Sequence, residues 1–145
     1  MRLKDKINII LVDDSKVFIE GLKVILSKFF NYHLLDICNN GKELIESPNL
    51  PEADLIIMDI EMPVMNGIEA ARRINSEYPN LTMLALTMHL EKVFLEDIIE
   101  AGFKGLIYKP EASKKLNGVI REIMNDKLVF PENLNLNEQN RNGGV

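Results

Sequence analysis

The chain has 145 residues, 22 acidic and 17 basic, and its net charge of −5 argues against a direct nucleic-acid interface, which needs clustered Lys and Arg. This length suits one domain and would be cramped for two. The single cysteine, Cys38, excludes an internal disulfide and suits a reducing cytoplasm, and the apolar runs are too short for a signal peptide or a membrane span.

Short β-rich runs alternate with helical periodicity along most of the chain, a pattern typical of βαβ units around a parallel sheet. We predict five strands, at residues 7–12, 33–38, 55–58, 82–87 and 105–108. Apolar residues at helical spacing predict helices over 18–29, 68–78 and 116–123, with weaker ones at 41–47 and 91–101. The expected fold class is α/β, a flavodoxin-like (βα)5 doubly wound parallel sheet with strand order 2-1-3-4-5.

The composition changes after about Asp126. Beyond that residue the sequence contains Pro131, a glycine pair at 143–144 and five asparagines at positions 133, 135, 137, 140 and 142. Such a composition offers little apolar surface to offset the entropy of ordering. We therefore predict a domain over residues 1–126, followed by a polar linker or disordered tail over 127–145 that adds nothing to the core.

Acidic residues close two of the apolar runs. Asp13 and Asp14 follow the first strand, and Asp59 follows the third. If these strands are parallel neighbours, their carboxyl ends open at one crevice, where open α/β sheets place their ligands. Unit charges about 4 Å apart repel by roughly 4 kcal/mol at an effective dielectric near 20. The crowded carboxylates therefore call for a cation, and Mg²⁺ suits carboxylate oxygen, water and phosphate.

Two further strand ends complete the predicted pocket. Thr87 ends the fourth strand and Lys109 follows the fifth. In the order 2-1-3-4-5 both point to the same crevice as the acids. Three carboxylates, one ammonium and Mg²⁺ carry no net charge together, so the site could accept a phosphoryl group without prohibitive repulsion.

Over about residues 7–125 the chain resembles the receiver domains of two-component response regulators. The motifs that carry the resemblance are the paired acids Asp13-Asp14, the run Asp-x-x-Met-Pro-x-Met-x-Gly from Asp59 to Gly67, Thr87, Ala101-Gly102-x-x-Gly105 and Lys109-Pro110. Each motif alone is weak, because an Asp after a strand is usually a turn or cap residue and a Lys there is usually solvated. Their order and their places at strand ends make the set specific.

The resemblance implies that Asp59 is a phosphoacceptor that takes a phosphoryl group from a sensor histidine kinase or a phosphotransfer protein. It further implies a Mg²⁺ ion held by Asp14, Asp59 and the backbone carbonyl of Glu61, with Asp13 acting through water. Thr87 and Lys109 would bind phosphoryl oxygens. The expected role is a phosphorylation-controlled switch without a metabolic reaction, which acts on an output such as transcription and can form a homodimer on phosphorylation. A stand-alone receiver without a DNA output is the alternative.

The sequence departs from the family pattern at two positions. Many receivers carry an aromatic residue three positions before the lysine, where this chain has Leu106. The residue after the threonine, often small, is Met88. We expect switching to repack an apolar side chain near Met88 and Val93 instead of turning a ring inward.

Two other classes of protein fit the sequence less well, and three other reactive residues do not belong to the predicted pocket. A magnesium-dependent phosphohydrolase with an Asp nucleophile needs an Asp-x-Asp motif on the first strand, which Asp13-Asp14-Ser15 lacks. A flavin binder of the same topology needs a neutral phosphate loop where this chain has two carboxylates. His33 and His89 lack partners at ligand spacing, and Cys38 is expected to be a small buried hydrophobe.

Overall fold

The computed structural model describes residues 6–136, which contain a parallel sheet of five strands. The strands are β1 (Ile7–Val12), β2 (Tyr32–Cys38), β3 (Leu55–Asp59), β4 (Thr82–Thr87) and β5 (Gly105–Tyr108), in the order β2-β1-β3-β4-β5. The predicted fold class and strand order are confirmed. The first, fourth and fifth strands have the predicted bounds, and the second and third are each one residue longer.

Helices connect the strands: α1 (Lys16–Ser27), α2 (Gly41–Glu46), α3 (Gly67–Glu77), α4 (Leu95–Glu100) and α5 (Ala112–Ile123). Short polar residues begin the first three, because the side chains of Ser15, Asn40 and Asn66 each accept a hydrogen bond from a backbone N–H in the first turn. The longest of these helices has 12 residues, and within residues 6–136 none is long and apolar enough to cross a bilayer.

The fourth helix is shorter than predicted. In place of a helix over 91–101, the structure has a 3₁₀ turn at Leu90–Lys92 and a six-residue helix that begins at Leu95. Val93 and Phe94, between the two, have extended backbone angles. Apolar residues do recur at helical spacing in this region, but the extended backbone at Val93 and Phe94 divides it into a 3₁₀ turn and a short helix.

Helices cover both faces of the sheet, and their packing fixes the position of its carboxyl edge. Along β3, Ile56 and Met58 pack with residues of α2, α3 and α4, while Leu55 and Ile57 pack with residues of α1 and α5. This alternation is the period of two expected of a strand. All of β3 is buried, so the acid at its end is carried by the most enclosed strand of the sheet.

The segment after Asp126 packs on the domain as far as Leu136, and the expectation that it adds nothing to the core is wrong there. Leu134 is 9% exposed and belongs to the core cluster, with Phe130 packed against it. Val129 forms a parallel bridge with Gly105 of β5. Three apolar side chains and backbone pairing outweigh the polar composition of the segment. Residues 137–145 of the predicted tail lie outside the described residues.

Removing this segment should destabilise the domain. A chain that ends at Lys127 loses the buried side chain of Leu134 together with Val129 and Phe130, and burial of one leucine contributes about 2 kcal/mol. We expect the free energy of unfolding to fall by at least that amount relative to a chain that ends at Leu136, measured by urea denaturation. Equal stability of the two chains would show that the packing contributes nothing.

Candidate functional site

Three carboxylates meet at the carboxyl edge of the sheet, as predicted. The strands β1 and β3 are parallel neighbours with Val12 opposite Met58, so Asp13 and Asp59 follow paired residues. One oxygen each of Asp13, Asp14 and Asp59 lies within 4.8 Å of the others. Asp13 and Asp59 are only 1% and 5% exposed, whereas Asp14 is exposed to solvent.

Lys109 bridges the two buried carboxylates. Its Nζ lies 2.6 Å from Asp13 Oδ2 and 3.1 Å from Asp59 Oδ2. The residue is only 7% exposed although lysine is seldom buried without partners. The predicted convergence of Lys109 on the acids is thus present in the structure, and the ammonium offsets part of their charge.

The pKa values of Asp59 and Lys109 are both raised, for opposite reasons. Burial raises the pKa of the Asp59 carboxyl, and the Glu61 backbone N–H and the Lys109 ammonium, which lower it, offset that effect only in part. Burial alone would lower the pKa of Lys109, but its contacts with Asp13 and Asp59 outweigh burial and raise it. Lys109 therefore stays a cation, and Asp59 is a carboxylate more basic than one in water.

Backbone groups hold the two buried carboxylates in place. The Ser15 N–H donates to Asp13 Oδ1 at 2.8 Å, and the Glu61 N–H donates to Asp59 Oδ1 at 3.0 Å. Each bond spans two residues and closes a turn immediately after the strand. One oxygen of each acid is thereby fixed, and the other faces Lys109.

Gly67 allows the start of α3 to approach the pocket. A Cβ at this position would lie 2.5 Å from the carbonyl oxygen of Asp59 and 2.7 Å from Cα of Ile60. The Gly67 N–H also donates to the Ile60 carbonyl at 3.0 Å. The glycine that ends the sequence motif is therefore required by close contact with the segment that carries Asp59, beyond its part in an Asn-Gly turn.

Thr87 is fully buried at the end of β4. Its Oγ1 accepts a hydrogen bond from the His89 N–H at 2.9 Å and donates one to Glu61 Oε1 at 3.3 Å. The threonine hydroxyl is therefore held between the loop after β4 and the loop after β3. The side chain of Glu61 was not anticipated as its partner, and the role of the Glu61 backbone carbonyl as a metal ligand stays a prediction.

Phe18 is a part of the site that sequence reasoning missed. The Nζ of Lys109 lies 4.4 Å from the centroid of its ring, which is cation–π distance. The sequence indicated only that Phe18 is the first of the apolar residues whose spacing predicts a helix over 18–29. The signal available in the sequence is that Phe18 follows closely after Asp13 and Asp14. That position does not show that Lys109, at the end of β5, lies against the same ring.

The donor set fits a hard divalent cation such as Mg²⁺. The Asp13 Oδ2 atom is fully buried and lies 2.6 Å from the Lys109 ammonium, so this oxygen already faces a positive charge, whereas Asp14 and Asp59 offer the further carboxylate oxygens. The exposed Asp14 carboxylate leaves one side of the cluster open to solvent, from which an ion can enter.

The remaining reactive side chains lie elsewhere. Cys38 is 3% exposed, and burial with the nearby charges of Asp36 and Glu43 raises the pKa of its thiol to about 12. It is the buried hydrophobe that was predicted. His33 and His89 are both exposed, and His89 lies 3.4 Å from Glu91. Neither belongs to the carboxylate cluster.

Residues 9–121 match the family model described as the response regulator receiver domain. The transcriptional regulatory protein DegU of Brevibacillus brevis is 31% identical over 73% of this chain and 45% of its own length. The transcriptional regulatory protein LnrK of Bacillus subtilis (strain 168) is 30% identical over 93% of this chain and 63% of its own. This chain thus spans about half to two thirds of these curated relatives.

Solved structures agree with the topology. A two-component response regulator of the LuxR family from Aurantimonas sp. SI85-9A1 superposes with a TM-score of 0.79 at 26% identity, covering 86% of this chain and 89% of that one. The similarity therefore extends over most of the chain.

Val64, in the loop after β3, has a strained backbone. Its φ is +70°, a left-handed conformation that costs an L-residue roughly 1–2 kcal/mol and that asparagine tolerates better. The side chain is 76% exposed, so its replacement loses little packing.

Val64→Asn should therefore raise the free energy of unfolding by about 1 kcal/mol, measured by urea denaturation. Val17, also exposed but within α1, is the matched control, and Val17→Asn should give no gain. A loss of stability in Val64→Asn would mean that the left-handed backbone is not the source of strain.

Proposed function

The chain belongs to the response regulator receiver domains, and on that premise we propose that Asp59 accepts a phosphoryl group from a sensor histidine kinase or a phosphotransfer protein. The observation that supports this proposal is the position of Asp59. It is buried at the carboxyl edge of the sheet, its Oδ2 lies 3.1 Å from Lys109 Nζ, and two further acids lie beside it. Receiver domains are signalling modules, and this chain is expected to act in the cytoplasm, where such donors are available.

In the proposed step an oxygen of the Asp59 carboxylate attacks the phosphorus of the donor. The bond between phosphorus and the donor atom breaks, and its electron pair leaves with the donor. Asp59 becomes an aspartyl phosphate, which water later hydrolyses to restore the carboxylate. The raised pKa of Asp59 supports the nucleophilic role, because a more basic oxygen is a better nucleophile.

Asp14 and Asp59 would hold Mg²⁺, together with the backbone carbonyl of Glu61, and Asp13 would act through water. When bound, the ion neutralises charge that develops on the phosphoryl oxygens. Asp13 fits the indirect role because Lys109 already occupies its side at 2.6 Å. Asp14 fits the direct role because it is exposed and has its carboxylate in the cluster.

After transfer, Lys109 and Thr87 would contact the new oxygens. Lys109 has only to turn from the Asp59 carboxylate to the group attached to it. The Thr87 hydroxyl would exchange the Glu61 carboxylate for a phosphoryl oxygen. Leu106 is 2% exposed and shares a cluster with Val93, so a shift of the β4 end would repack these apolar side chains in place of an aromatic ring.

The output we infer is control of transcription through a further domain, with homodimerisation on phosphorylation. This inference is supported by the names of the two relatives, both transcriptional regulatory proteins longer than this chain. A stand-alone receiver remains the alternative. The full reading frame of the gene separates the two.

The phosphoacceptor can be identified by intact mass. With Mg²⁺ and acetyl phosphate, we expect the wild type to gain one phosphoryl group and Asp59→Asn to gain none. Asp97→Asn, which changes an exposed acid on α4, is the control and should be labelled normally. Undiminished labelling of Asp59→Asn would place the nucleophile elsewhere, and continuous turnover of acetyl phosphate without a labelled protein would favour a phosphohydrolase.

Asp14→Ala should weaken Mg²⁺ binding and remove most of the labelling, because a hard divalent cation loses one of its carboxylate ligands. Calorimetric titration with Mg²⁺ measures the first effect and intact mass the second. Glu20→Gln removes an exposed acid of α1 outside the cluster and should change neither. Wild-type Mg²⁺ affinity in Asp14→Ala would contradict the proposed ligand set.

A further inference from the structure

Residues 128–136, here called the strap, lie along the free edge of β5. The Val129 N–H donates to the Lys104 carbonyl at 2.9 Å, and the Val129 carbonyl accepts from the Leu106 N–H at 3.0 Å. A Cβ on Gly105 would lie only 3.1 Å from the Val129 oxygen, so glycine permits this close pairing. This end of the strap is tied to the sheet by one parallel β-bridge, between Val129 and Gly105.

The other end of the strap holds the start of α4. The N–H groups of Leu95 and Glu96 donate to the carbonyls of Asn135 and Leu136, at 2.7 and 2.9 Å. The first N–H groups of any helix have no partner within the helix, and here no side chain caps them. The carbonyls of the strap accept hydrogen bonds from two of these groups. A helix of six residues is not stable alone, and α4 depends on such contacts.

Leu134 links the strap to the loop that leaves the pocket. It is 9% exposed and shares a cluster with Val93 and Leu106. By contrast, Leu128 and Leu136, at the two ends of the strap, are 57% and 58% exposed. Leu134 is therefore the side chain that seats the strap most deeply, and Val129 and Phe130 are half-buried.

A short hydrogen-bonded path joins Thr87 to this seat. The Thr87 hydroxyl is bonded to the His89 N–H, the Lys92 N–H to the His89 carbonyl, and the Val93 N–H to the Leu90 carbonyl. The segment from Thr87 to Val93 is thus compact, and Val93 at its end belongs to the same core cluster as Leu134.

We propose that phosphorylation of Asp59 loosens the strap from α4 and leaves its pairing with β5 intact. New phosphoryl oxygens compete with Glu61 for the Thr87 hydroxyl and draw residues 87–94 toward the pocket. The strap cannot follow, because Val129 is fixed to the edge of β5. The chain beyond Leu136 then reports the state of the pocket. This inference rests on the proposed function.

Linkage makes the proposal testable from the opposite direction. If a phosphoryl group loosens the strap, a variant with a loosened strap binds a phosphoryl mimic more tightly by the same factor. Leu134→Ala removes the seated side chain, and Leu136→Ala, which changes an exposed one and keeps the backbone carbonyl, is the matched control.

The probe is beryllofluoride with Mg²⁺, and the readout is its dissociation constant from a titration followed by amide NMR. We expect Leu134→Ala to bind at least about fivefold more tightly than the wild type and Leu136→Ala to bind as the wild type does. Equal or weaker binding by a folded Leu134→Ala overturns the proposal. If the wild type itself does not bind beryllofluoride, the proposed function fails and this inference fails with it.

Hydrogen exchange in the wild type gives a second test that needs no variant. On addition of beryllofluoride, the amides of Leu95 and Glu96 should exchange at least about fivefold faster, while those of Leu106 and Val129 stay protected. Unchanged or slower exchange at Leu95 and Glu96, in a protein whose Asp59 loop responds to the mimic, would overturn the loosening and leave the phosphoacceptor role standing.

Discussion

The position of one buried ammonium group organises the pocket. Lys109 Nζ lies within 3.1 Å of an oxygen of both buried acids, so it ties the end of β5 to the ends of β1 and β3. Without it, two carboxylates in a low-dielectric crevice would repel one another and their ionised forms would be disfavoured. The ring of Phe18, with its centroid 4.4 Å from the ammonium, brings α1 into the same arrangement. Elements far apart in sequence are thus joined by a single charge.

The interactions around this charge differ in kind on the two sides of the pocket. On the side of α3, contact is steric: the backbone of Gly67 lies against Asp59 and Ile60 with no room for a Cβ. On the side of α4, contact depends on hydrogen bonds, from Thr87 through the following loop to the strap. Hydrogen bonds can be exchanged for others of similar strength, whereas close packing cannot be relieved without cost.

Local pattern was sufficient to predict the sheet and the convergence of the acids. The apolar runs before Asp13 and Asp59 have the composition of buried parallel strands, and strand order alone then brings their ends together. Contacts that depend on three-dimensional placement were not predictable in this way. Phe18 beneath Lys109 and Glu61 beside Thr87 carry no spacing signal, because their partners are on other strands. The strap was misjudged because composition averages over a segment, whereas a few well-placed residues such as Leu134 decide its packing.

The close approach at Gly67 has a consequence for how any partner can sense this domain. The start of α3 lies in direct contact with the loop that carries Asp59, and with no room even for a Cβ at Gly67 it cannot move closer to that loop. If Asp59 is phosphorylated as proposed, a protein that bound only α2 and α3 would have similar affinity for both states and could not discriminate between them. A partner that distinguishes the two states must contact the opposite half of the domain, from β4 to the strap. On that proposal the domain is mechanically polar: the half with α2 and α3 keeps a constant surface, and the half from β4 to the strap has a surface that changes.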